Sequence, residues 1–178
     1  MTALVVYESM YGSTKAIAEA IGEGLAPTGP IRVLEISALA AAPGGRTISP
    51  QIDLLVVGAP THAFGLSRPN TRQDAASDAP GGRVISDGKG LREWLAEISL
   101  PIGGTRFAAF DTKVVRPALP GSAAKGAHKA LVRMAGRPVA EPRSFGVHGK
   151  SGGLVDGEIE AARAWGAELA RLVSAGVR

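Results

Sequence analysis

Apolar and polar positions fall in blocks along the chain, and the blocks change period. Short apolar runs occur at 3–7, 31–34, 54–58, 107–110 and 144–147. The first and third are almost wholly aliphatic, as expected of strands buried on both faces of a parallel sheet. Between the runs, apolar residues recur at helical spacing. Ile17, Ile21 and Leu25 form one stripe, and Leu91, Trp94, Leu95 and Ile98 form another near 90–97. Ala127, Leu131 and Met134 mark a helix near 122–135; Ile159, Ala162, Gly166, Leu169 and Val173 mark one near 156–174. Asp156, Glu158 and Glu160 crowd the start of the last helix, where negative charge suits its dipole. Trp94 and Trp165 lie on or beside apolar stripes and are expected in the core. His128, between Lys125 and Lys129, is expected on the surface.

Strands alternating with helices predict a parallel α/β sheet with right-handed crossovers. Five strands in a chain of 178 residues suit one domain over 1–178. The architecture expected is three layers, with a doubly wound parallel five-stranded sheet of order 2-1-3-4-5. Two stretches break the pattern. Residues 37–51 read as a short helix at most, then a loop. Residues 68–88 are polar, rich in Gly and Pro, and without periodicity. They read as a long loop inserted after strand three, serving either as a lid or partner-binding element or as a plain surface insertion.

Composition narrows the chemistry. Apolar residues make up 45% of the chain, enough for a core, and there is no cysteine for disulfides, thiolate chemistry or Cys-based metal sites. No charged-then-apolar leader and no apolar run of about 20 residues occurs, so the expectation is a cytoplasmic protein with no membrane span. The net charge of +4 and pI near 9.8 suit either an anionic partner or an Arg-rich solvated surface. No run of five Lys/Arg appears and aromatics are 4%, which argues against a nucleic-acid stacking platform.

The first strand runs into Ser9-Met10-Tyr11-Gly12-Ser13-Thr14 and then a helix. A helix start has unpaired N–H groups and partial positive charge, which together favour an anion. Gly12 permits close approach and unusual torsions, and Ser9, Ser13 and Thr14 add hydroxyls. With no Lys or Arg ahead of the helix, dipoles would hold the anion, and a phosphate monoester fits. The competing reading is an ordinary helix capped by Ser13 or Thr14. After the third strand come Pro60-Thr61-His62-Ala63-Phe64-Gly65. In a 2-1-3 order this loop adjoins the first one at the topological switch point, where ligands bind. A third loop after strand four offers Asp111, Thr112 and Lys113.

These two motifs and the order of elements over nearly the whole chain resemble the flavodoxin family. The family's Ser/Thr-x-Thr-Gly-x-Thr phosphate loop corresponds to Ser9–Thr14, with Tyr11 at the usual third-position Thr. Its Gly-x-Pro-Thr-plus-aromatic loop corresponds to Gly58 through Gly65. The resemblance implies a flavodoxin-like fold and non-covalently bound FMN. Ser9, Met10, Tyr11, Gly12, Ser13 and Thr14 would hold the 5′-phosphate. Pro60, Thr61, His62, Ala63, Phe64 and Gly65 would line the isoalloxazine ring, with His62 or Phe64 stacking on it. Phe110, Asp111, Thr112 and Lys113 would approach from the other side. The implied function is electron carriage or reduction of a small acceptor, resembling either the flavodoxins or the quinone- and protoporphyrinogen-reducing branch. Lys113 and Arg116 near the ring would favour reduced, anionic flavin. The redox partner, protein or small acceptor, is unnamed by the sequence. The alternative is a flavodoxin-fold binding or regulatory module without flavin.

Other motifs fail on spacing. Gly149-Lys150-Ser151 lacks the Gly a P-loop needs at 144, which is Ser. Gly149-Lys150-Ser151-Gly152-Gly153 matches a nucleophile elbow, but all three histidines precede that Ser. The stretch reads as a loop beside the sheet's far edge. The histidines lack metal-ligand spacing, so no metal site is expected.

Overall fold

The structure is a computed structural model and describes residues 1–117 and 120–176. Six strands form one parallel sheet: β1 (Ala3–Tyr7), β2 (Ile31–Glu35), β3 (Leu54–Pro60), β4 (Arg106–Val114), β5 (Arg137–Pro138) and β6 (Arg143–Val147). The order is β2-β1-β3-β4-β5, and β6 also pairs with β4. The fifth position is thus shared by two strands. β5 pairs with the start of β4 at Arg106 and Phe107, and β6 pairs with its end from Phe110 to Val114. Pro142, which has no N–H to give a ladder, stands just before the second segment.

Side chains alternate across the sheet. Ala3, Val5 and Tyr7 of β1 face a cluster with α1 (Ser13–Leu25) and α6 (Glu158–Ala175), which contribute Ile17, Ile21, Trp165 and Leu169. Leu4 and Val6 face the opposite cluster, filled by Trp94 of α4 (Leu91–Glu97) and Leu131 of α5 (Ala123–Arg133). Both tryptophans are core residues, as their stripes predict. The short α2 (Ile36–Ala41) follows β2 as expected.

Three expectations are corrected. Residues 68–88 are not simply a loop, because they contain α3 (Pro69–Asp78). Pro69 takes the first helical position, and the Thr71 hydroxyl accepts from the Arg68 amide at 2.9 Å. The helix has no apolar stripe because it packs over turns instead of the sheet. β4 runs to Val114, so Phe110 through Lys113 belong to a strand and not to a loop. His128 is half-buried, with its ring edge-on to Phe107 at 5.2 Å and its Nδ1 lacking a partner.

Candidate functional site

β1 ends at Tyr7, and the chain turns through Ser9–Gly12 into α1. The helix N-cap is Gly12, at φ 104° in the left-handed region, with no side-chain cap. The reading of Ser13 or Thr14 as N-cap is therefore corrected. The buried Ser9 hydroxyl accepts from the amides of Gly12 and Lys15 at 3.2 and 3.3 Å. The first-turn amides of Ser13 and Thr14 belong to those a helix cannot pair internally. No acidic residue sits in that first turn. Thr14 is buried and its hydroxyl lies 2.7 Å from that of Thr112 on β4.

The loop after β3 is a two-residue hairpin. His62 and Gly65 exchange backbone bonds of 2.8 and 2.9 Å. Ala63 and Phe64 at its tip have φ of 40° and 73°, torsions that cost non-glycine residues about 1–2 kcal/mol each. Asp111 holds the loop from below. One carboxylate oxygen accepts from Thr61 Oγ1 at 3.0 Å, Ser122 Oγ at 2.6 Å and the Ala124 amide at 2.9 Å.

These elements enclose a crevice of about 300 Å³ at the carboxyl ends of β1, β3 and β4. Ser9, Met10, Tyr11, Ser13 and Thr14 form one wall; Pro60, Thr61, His62, Ala63 and Thr112 form the other. Ten of the predicted site residues thus meet around one space. The other six lie elsewhere. Gly12 shapes the turn behind the wall. Phe64 projects outward, 59% exposed, and Gly65 closes its hairpin. Phe110 packs in the core against Phe145 and Trp165, in the space that Gly58 leaves by lacking a Cβ. Asp111 is buried under the loop, and Lys113 donates to the Gly121 carbonyl at 2.8 Å.

Two lining segments lie outside the sequence motifs. α3 contributes Thr71, Asp74, Ala75 and Asp78, and the loop after β6 contributes Gly149 and Lys150. That loop is the Gly-Lys-Ser stretch read as lying beside the sheet's far edge. Its place after the last strand, pairing with the end of β4, brings it over the crevice. Lys150 Nζ meets Asp78 Oδ2 at 3.0 Å, and the Tyr11 hydroxyl donates to the Ala75 carbonyl at 2.8 Å. The hydrogen bond to Asp78 raises the Lys150 pKa. Burial raises that of Tyr11, with Asp78 adding to it. Burial lowers the His62 pKa below the ordinary histidine value, and the charges of Arg72 and Lys150 act the same way, so its ring is mainly neutral at pH 7.

Solved structures share this architecture. A flavodoxin from the domain Archaea matches with a TM-score of 0.63 and 19% identity, over 98% of this chain and 99% of that one. Oxidised Flavodoxin 1 from Bacillus cereus matches with a TM-score of 0.66 and 19% identity, over 96% and 98%. This chain has the flavodoxin fold. The flavodiiron protein from Giardia intestinalis contains the same fold within a longer chain, with a TM-score of 0.60 and 18% identity, over 98% of this chain and 36% of that one. No protein-family model and no curated protein sequence matches the chain. Among the described residues, no helix is long and apolar enough to cross a membrane.

The donor set of the crevice suits a phosphate monoester joined to a flat ring. The α1 amides, its dipole and the Ser13 hydroxyl converge at one end, without a carboxylate in the first turn. Tyr11 and His62, both with planar side chains, also line the space, while the ladder bonds at His62 and Gly65 leave the tip amides of Ala63 and Phe64 free of the ladder.

Proposed function

We propose that this protein binds FMN non-covalently in the crevice and works as a redox protein, carrying electrons or reducing a small acceptor. One observation carries the reading. Two motifs some fifty residues apart, Ser9–Thr14 and Pro60–Ala63, wall a single crevice at the switch point of the sheet. Ser13, Thr14 and the start of α1 would hold the phosphate, and Tyr11 and His62 would contact the ring. When bound, the flavin supplies the one- or two-electron chemistry. The chain orients it, excludes water and sets the charge around it. In place of Lys113, the cation on the wall is Lys150.

A second reading, a flavodoxin-fold module that holds another ligand or a partner without flavin, is favoured by the α3 wall. Asp74 and Asp78 place two carboxylates on the crevice, with Lys150 paired to one of them. The visible absorbance spectrum of the purified protein separates the two. Flavin bands that remain through gel filtration and appear as FMN on extraction support the first reading. A colourless protein that takes up no FMN supports the second.

A further inference from the structure

We propose that the exposed face of α5, together with Phe64, is a docking face for an acidic protein partner beside the crevice. Lys125, Lys129 and Arg133 follow one another at i, i+4 and i+8, one per turn, and all three are exposed. The helix contains no acidic residue. Elsewhere some cations find carboxylates, as Lys15 does with Glu19, Arg46 and Lys89 with Glu97, and Arg163 with Glu23, while exposed Arg32, Arg68 and Arg171 stand singly without one among the described residues; the α5 cations differ in lying in one row on one helix face. Among the described residues, none of the three on α5 forms an ion pair. The carboxylates of the neighbouring α4 are already engaged, Glu93 by Arg72 and Glu97 by Lys89 and Arg46.

The arrangement does not serve the helix itself. Like charges one turn apart repel. Arg133 in the last turn suits the dipole, but Lys125 lies in the first turn, where a cation is unfavourable. The contrast is α6, whose first turn carries Glu158 and Glu160. A row of cations that opposes its own helix and has no internal counter-charge is complementary to an external anionic surface.

The row starts at the crevice. The amide of Ala123, at the head of α5, donates to Thr61 Oγ1 at 2.9 Å, and Ser122 bonds Asp111 at 2.6 Å. The Gly121 backbone packs against that of Phe64, where a Cβ would come within 2.0 Å of the Phe64 carbonyl oxygen. The left-handed hairpin tip holds the Phe64 ring outward, 59% exposed. An exposed aromatic beside a cationic row fits a folded acidic protein, with the ring as an apolar anchor and the charges as its rim. A nucleic-acid duplex, with its bases stacked inside, would use the cations and leave the ring without a role. The partner's role in electron exchange rests on the flavin reading; the face itself does not.

The test is an amide-shift titration of isotopically labelled protein with poly-L-glutamate as the acidic polypeptide probe and a short DNA duplex as the nucleic-acid probe, with FMN affinity measured in parallel. Poly-L-glutamate is expected to shift amides along 123–133 and at Phe64. High salt and the triple variant Lys125→Glu, Lys129→Glu, Arg133→Glu should abolish those shifts, with FMN affinity unchanged within about twofold. Absence of shifts on α5, shifts confined to another surface, or tighter binding of the duplex at α5 would overturn the proposal. Loss of FMN binding in wild type would count against the flavin reading alone.

Discussion

The hydroxyls of Thr14 and Thr112 lie 2.7 Å apart, both side chains buried, and tie the first turn of α1 to the end of β4. This one bond ties the α1 wall of the crevice to the strand that carries Asp111 and its hold on the loop after β3. Thr14→Val and Thr112→Val each leave a buried hydroxyl unpaired, at a cost of about 1–3 kcal/mol. The double variant should lose less than the sum of the two. Chemical denaturation of the four proteins gives the coupling, and additivity would show that the bond contributes nothing.

The two candidate stacking residues are separated by where the structure puts them. His62 lines the crevice and Phe64 points away from it. His62→Ala is expected to weaken FMN binding about tenfold, equivalent to ~1.4 kcal/mol. Phe64→Ala should leave the affinity within about twofold. Fluorescence titration of both variants decides the matter, and the reverse ranking would place the ring on the outer side of the hairpin.

Most of the architecture was legible from the sequence because β1, β3 and the α1 and α6 stripes are strongly patterned. The missing pieces share a physical cause. α3 buries little apolar surface, so no stripe announces it, and only Pro69 with Thr71 signals a helix start. Lys150 reaches the crevice through the pairing of β6 with the end of β4, a register no local motif encodes. Phe110 shares its face of β4 with the lining Thr112, but it lies two residues deeper in the strand and packs in the core against Trp165.

Glu8 makes folding depend on pH. It is buried, with Oε2 accepting from the Leu91 amide at 2.7 Å and Oε1 without a partner. Burial raises its pKa, and the bond from the Leu91 amide and the charge of Arg72 offset this only in part. The folded chain therefore binds this proton more tightly than the unfolded one. The contribution to stability is full below the ordinary Glu pKa and is lost as pH rises through the raised native value. Glu8→Gln should raise Tm at pH 7 and give a smaller gain, or none, at pH 4. Thermal melts at the two pH values test this, and an equal gain at both would refute it.

Lys150 and Asp78 bridge the crevice mouth, and both side chains are well exposed. Lys150→Ala should leave Tm unchanged and quicken FMN release, an effect that high salt reproduces in wild type. Stopped-flow dissociation measures it, and a release rate insensitive to both changes would mean that the pair does not cover the ligand.

The central claim is that the turn at Gly12 holds the phosphate of FMN. Quenching of FMN fluorescence, titrated against wild type, Gly12→Asp and the uncharged control Gly12→Asn, tests it most directly. The account predicts submicromolar quenching by wild type, weakened quenching by Gly12→Asn because φ is 104° there, and none by Gly12→Asp, with all three proteins folded by circular dichroism. Equal affinity of wild type and Gly12→Asp, or no quenching by wild type, would contradict it.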